Sequence, residues 1–188
     1  MSTQTDAFAD GIMALTEALR SSAADPSDQI RLMISLAGFA PAVPTGTAAI
    51  GAAMATATNC TAALCRRAAL ISLANACAGY QPTSYDDAEQ LKRQVRRLFD
   101  AEATIAADAG DCATYQMLAE LGAAVAQDLD TRGAQLPELV TITIAVPIPA
   151  PVLAYRLYGD ATRADDLTAR ADPPHPAFMP TEFRALSS

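Results

Sequence analysis

Along the first 133 positions, apolar residues recur at alternating steps of three and four, the spacing that lines one face of an α-helix. Phe8, Ile12, Leu15 and Leu19 form such a stripe and predict a helix from about Thr5 to Arg20, ended by Ser21 to Asp25. Pro26 opens a second helix with Ile30, Met33, Ile34 and Ala37 along one side. Gly38 and Pro41 close it, and Pro41 to Thr47 reads as a loop. From about Ala48 to Ala78 the chain is rich in Ala, with small residues around most of the helix circumference. That pattern predicts a long central helix with neighbours on several sides, bent at Gly51 and capped by Gly79.

The stretch Pro82 to Asp87 reads as a helix start, with Ser84 as N-cap and Asp86 and Asp87 meeting the positive end of the dipole. Ala88, Leu91, Val95, Leu98, Glu102 and Ile105 then follow at helical spacing. Gly110-Asp111 interrupts, and Tyr115, Leu118, Gly122, Val125 and Leu129 repeat the pattern until Gly133. Two such stripes joined by a short break predict antiparallel neighbours in a helical bundle.

The period changes after Gly133. Val140, Ile142, Ile144 and Val146 alternate with Thr141, Thr143 and Ala145, the period of a β-strand, and Pro147 and Pro149 end it. Pro151 opens a short helix, Val152 to Tyr158, closed by Gly159. Thr162 and Asp165 predict a capping box for a second short helix that ends near Arg170. Four prolines between 173 and 180 force an extended return to a last strand, Phe183 to Leu186. The predicted fold is therefore mainly α: a helical bundle over residues 1–133 followed by a small βααβ domain over 138–188, the arrangement of LysM-type modules.

Composition narrows the function. The chain has 188 residues, 51% of them hydrophobic but only 5% aromatic, so much of the apolar content is Ala and favours closely packed helices. A net charge of −8 opposes sequence-independent binding to phosphate backbones. The one basic cluster, Lys92, Arg93, Arg96 and Arg97, is interleaved with Leu91, Val95 and Leu98 and reads as a solvated helix face. Thr45 to Leu64 is nearly free of charge and long enough to span a bilayer, but it is poor in Leu, Ile, Val and Phe. It reads as a buried soluble helix, and the polar, acidic start at Met1 to Asp10 carries no secretory signal. Cytosolic synthesis and no membrane association are expected.

Catalytic chemistry finds little purchase. Cys60, Cys65, Cys77 and Cys112 match neither a redox pair nor a zinc knuckle, and the first three read as buried thiols in Ala-rich helix. The single histidine, His175, sits among prolines and reads as a packing residue. Asp86-Asp87 and Asp165-Asp166 read as helix N-terminal charges, not metal ligands. No enzyme, cofactor or metal site is expected.

The most distinctive stretch runs from Ala150 to Leu186. Leu153-Ala154, Leu157-Tyr158-Gly159-Asp160, Arg163-Ala164-Asp165 and His175-Pro176 resemble the C-terminal end of the Mu-type DNA circularisation (circulation) protein family, encoded in tail operons of Mu-like phages and prophages. Ala171 and Thr181-Glu182 depart from that family's Asn and Gly-containing turn. The resemblance implies a virion structural protein near the baseplate or tube end. It would contact other tail proteins in a ring-like oligomer through a face including Tyr155, Tyr158, Gly159, Asp160, Arg163, His175 and Pro176. Two other functions are carried beside it: protection of DNA ends, and peptidoglycan binding by a LysM-like module.

Overall fold

The computed structural model describes residues 2–46 and 48–187, and the side chains from Gln4 onward. Thr47, the far end of the expected loop, lies outside the described residues. Helices α1 (Ser2–Ser21), α2 (Pro26–Ala37), α3 (Ala49–Gly79), α4 (Tyr85–Asp108) and α5 (Cys112–Gly133) come first. They are followed by β1 (Leu139–Thr143), α6 (Ala150–Tyr158), a 3-10 turn (Ala161–Arg163), α7 (Ala164–Ala171) and β2 (Glu182–Leu186). The chain is mainly helical, with one small two-stranded sheet. It divides into two compact units, Met1–Gln81 with Gln90–Thr131, and Pro82–Glu89 with Arg132–Ser188.

The first unit is a helical core built from α2, the second half of α3, α4 and α5. Met33, Leu70, Leu73, Val95, Phe99 and Leu129 are fully buried in it. The α4 and α5 stripes run antiparallel: Lys92 pairs with Asp130, and Phe99 packs on Gly122, where an added Cβ would lie 3.0 Å from the Phe99 Cβ. The turn between the helices places Gly110 at φ +74° and Asp111 at the start of α5, its carboxylate accepting from the Thr114 amide at 3.2 Å.

Three expectations for this unit are overturned: burial along the whole of α3, a cap at Gly79, and Ile105 on the buried stripe of α4. The long helix α3 is buried only from Ala62 onward, and most of Ala49–Thr61 is exposed, Cys60 included. Length explains this: 31 residues extend about 46 Å, whereas the 12 residues of α2 cover only about 18 Å of it. Gly79 is the last helical residue, not a left-handed cap, and Tyr80 follows in extended conformation. Gly51 serves close approach: a Cβ there would meet the Gly46 carbonyl oxygen at 2.5 Å. Within the α4 stripe, Glu102 is buried while Ile105 is exposed.

The second unit pairs β1 and β2 antiparallel, with Leu139 opposite Leu186 and Ile142 opposite Phe183. Its own core gathers Leu153, Ala154, Leu167, Met179, Phe183 and Ala185. The first strand is shorter than its alternating pattern, ending at Thr143, though the Ile144 amide still donates to the Thr181 carbonyl at 2.8 Å. Residues 82–89 group here, where the sequence placed them with the bundle. The Tyr85 amide donates to the Pro137 carbonyl, and the Asp86 carboxylate accepts from the Leu139 amide at 2.7 Å and pairs with Arg184 at 3.3 Å. Ser84 acts as the N-cap of α4, its hydroxyl accepting from the Asp87 amide at 3.1 Å.

Candidate functional site

The residues singled out in the C-terminal stretch fall into two groups. The first surrounds the end of α6. Gly159 takes φ +71°, the left-handed conformation a helix C-terminus favours in glycine, and its amide donates to the Tyr155 carbonyl at 2.9 Å. The chain then turns at Asp160, whose carboxylate accepts from the Thr162 amide at 2.9 Å and the Thr162 hydroxyl at 2.7 Å. Those two donors, the hydroxyl first, hold the Asp160 carboxyl below the usual carboxylate range. Asp160 therefore does the capping that was expected of Thr162 and Asp165, and the 3-10 turn it opens leads into α7.

That turn brings Arg163 back over Tyr158, its guanidinium carbon 3.7 Å from the ring centroid, a cation–π stack. Arg163 also reaches Asp166 at 3.7 Å, and Asp166 accepts from Arg170 at 2.9 Å. Burial raises the Tyr158 phenol above its ordinary pKa, and Arg163 opposes part of that rise. Asp165 and Asp166 occupy the first turn of α7, as expected of helix N-terminal charges. The left-handed residue that ends α7 is Asp172, at φ +43°, one position past Ala171.

The second group lies at the start of α6. The Pro176 carbonyl accepts from the Ala150 amide at 2.9 Å, and His175 Nδ1 accepts from the Ala177 amide at 3.0 Å. His175 thus spends one ring nitrogen on its own turn, and its ring lies 6.2 Å from that of Phe178. Tyr155 joins the first group only through its backbone; its side chain is 64% exposed. Phe178, which the sequence reading passed over, is 67% exposed, and Val152 is exposed one helical turn before Tyr155. The i,i+3 spacing of Val152 and Tyr155 was the available signal.

In the first unit the basic cluster separates. Lys92 is tied to Asp130, while Arg93, Arg96 and Arg97 line a shallow groove with Gln90 and Asp100. Among the described residues no group of three metal-ligating side chains converges, and no helix is long and apolar enough to cross a membrane. No protein-family model matches the chain, and no curated protein shows significant similarity to it.

Proposed function

We propose that the chain is a structural, non-catalytic component of a contractile phage tail or tail-like particle, a baseplate hub or tube-end adaptor acting by protein–protein docking. The observation that carries the docking part is the outer side of α6. Val152 and Tyr155 stand in solvent there, on a helix whose two ends are fixed by the Gly159 turn and the Pro176–Ala150 hydrogen bond. Rigid, exposed aromatic side chains are the residue type that anchors protein interfaces. The tail assignment rests on the family resemblance of Ala150 to Leu186. The order strand–helix–helix–strand, with an antiparallel pair, is also that of a LysM-type module. The protein would be made in the bacterial cytoplasm and incorporated into a ring-like oligomer at the tail end.

Gold-labelled antibody on intact tail particles tests this by electron microscopy. Label confined to the baseplate end is the expected result. Assembled particles that stay unlabelled while the free protein is recognised would remove the virion role. Two specific observations support other readings. The exposed face of Arg93, Arg96 and Arg97 suits DNA ends, and would show as retention on duplex ends that falls steeply with salt. The LysM-like order suits peptidoglycan, and would show as co-sedimentation with the insoluble polymer.

A further inference from the structure

Helix α1 is docked with its polar side inward. Thr16 is its only buried residue among those with described side chains, Glu17 accepts from the Ser72 hydroxyl at 3.4 Å, and Arg20 donates to Gln29 Oε1 at 2.6 Å while pairing with Glu17. The apolar stripe points elsewhere. At about 100° per residue, Ile12, Leu19, Phe8 and Leu15 lie roughly 40°, 60°, 80° and 100° around the helix from Thr16. Exposure climbs in the same order, from half-buried Ile12 to 41% at Leu19, 54% at Phe8 and 70% at Leu15. Among the described residues, none of α1 belongs to the hydrophobic core of its unit. An amphipathic helix held this way leaves a continuous apolar seam in water.

We infer that this seam is the contact surface for a second copy of the chain, α1 against α1. Three features point to a like partner. The 4-3-4 spacing of Phe8, Ile12, Leu15 and Leu19 is that of a coiled-coil seam, with Ile and Leu at successive core positions as in two-stranded assemblies. The seam is flanked by Ala9, Gly11, Thr16 and Ala18, and all four charged residues of α1 (Asp6, Asp10, Glu17 and Arg20) lie on the other side. Two chains that each carry −8 can approach only where their charges do not meet, and this seam meets that condition. A two-fold contact also requires a self-complementary surface, which an uncharged apolar stripe with small neighbours provides.

The size of the seam sets the strength. A helix of 20 residues is about 30 Å long and about 10 Å wide, so two of them bury an area below the roughly 1,200 Å² of a standard interface. The pairing is therefore a weak, concentration-dependent dimer. The inference does not depend on the tail reading.

Sedimentation velocity of the full chain over a concentration series tests it. The expected result is a monomer–dimer equilibrium that stops at two copies. Leu15→Glu, and separately Phe8→Glu, should raise the dissociation constant at least tenfold with an unchanged circular dichroism spectrum, because both side chains are already exposed. Met117→Glu, an exposed position on α5, should leave it unaltered. A monomer at every concentration, species larger than a dimer, or a Leu15→Glu chain that dimerises like the parent would each overturn the proposal. Should Leu15→Glu alter the spectrum, Leu19→Glu provides the same reading from another seam position.

Discussion

Glu102 occupies an apolar stripe position on α4, is 3% exposed, and faces two arginines of α3. Arg66 Nε donates to one carboxylate oxygen at 2.6 Å and Arg67 Nε to the other at 3.0 Å. The network extends outward: Arg66 also donates to the Phe39 carbonyl at 3.3 Å, and Arg67 pairs with Asp111 at 3.4 Å. One carboxylate therefore joins α3 to α4, while its two partners hold the chain just after α2 and the turn before α5. Glu102→Ala removes two charge-assisted hydrogen bonds, worth about 1.5–3 kcal/mol each, and leaves two guanidiniums without their buried partner. Removing one member of a fully buried pair costs about 3–5 kcal/mol. Both arginines keep some water and a second acceptor, so the lower end of that range applies, about 3 kcal/mol.

Glu102→Gln should cost less, about 2 kcal/mol, since its carbonyl still accepts from one arginine while its amide opposes the other. Urea unfolding followed by far-ultraviolet circular dichroism reads the loss as a lower midpoint at unchanged slope in the transition of the helical unit. Arg66→Met combined with Glu102→Ala should be less destabilising than the two changes added, because each single change already breaks the same Arg66–Glu102 pair. A loss under about 1 kcal/mol for Glu102→Ala, with additive doubles, would mean that Glu102 does not tie α3 to α4. The three charges would then behave as a solvated surface cluster.

Three further outcomes are expected. Gly159→Val should destabilise the C-terminal unit by about 1–3 kcal/mol, since a β-branched residue resists the left-handed φ of +71°; NMR shifts of residues 139–186 that stay unchanged would contradict it. Gly122→Ala should destabilise the helical unit, because its Cβ would lie 3.0 Å from buried Phe99; thermal melting should register a drop, and an unchanged midpoint would mean that α4 and α5 separate freely there. Tyr158 should ionise above the usual tyrosine value of about 10 in a tyrosinate absorbance titration. Its folded pKa is raised by burial, so its contribution to stability is complete below the unfolded value of about 10 and is lost as pH rises through the folded value. Ionisation of Tyr158 at or below about 10 would show that burial does not govern it.

Features governed by local chemistry were legible in the sequence. Ser84 caps α4, Gly159 takes the left-handed turn, Gly110-Asp111 breaks the helix, and the period-two run at Val140 to Ile144 begins the sheet. Each depends on what one or two residues permit the backbone to do. Long-range ties were less legible. Asp86 reads as a dipole charge, yet its carboxylate also fastens the start of β1 and reaches Arg184, 98 positions away. Of the candidate docking residues, Tyr158, Gly159, Asp160 and Arg163 form one cluster because Asp160 turns the chain back. His175 and Pro176 serve a separate hydrogen-bonded turn at the other end of α6.

The unread features share one cause. A hydrophobic stripe states which side of a helix is apolar, and nothing in it states what covers that side. On α4 the stripe is covered, and its one charged member is tolerated because α3 supplies two arginines. Along Ala49–Thr61, α3 outruns the helices beside it, so an uncharged surface that reads as core stands in water. On α1 the same kind of stripe is turned away from the chain because Thr16 is the buried position and Glu17 and Arg20 make the contacts to Ser72 and Gln29. The three cases differ in partner, not in pattern. Where the chain supplies no partner, a pattern this regular has physical value only against another surface, and α1 is the helix on which that surface should be sought first.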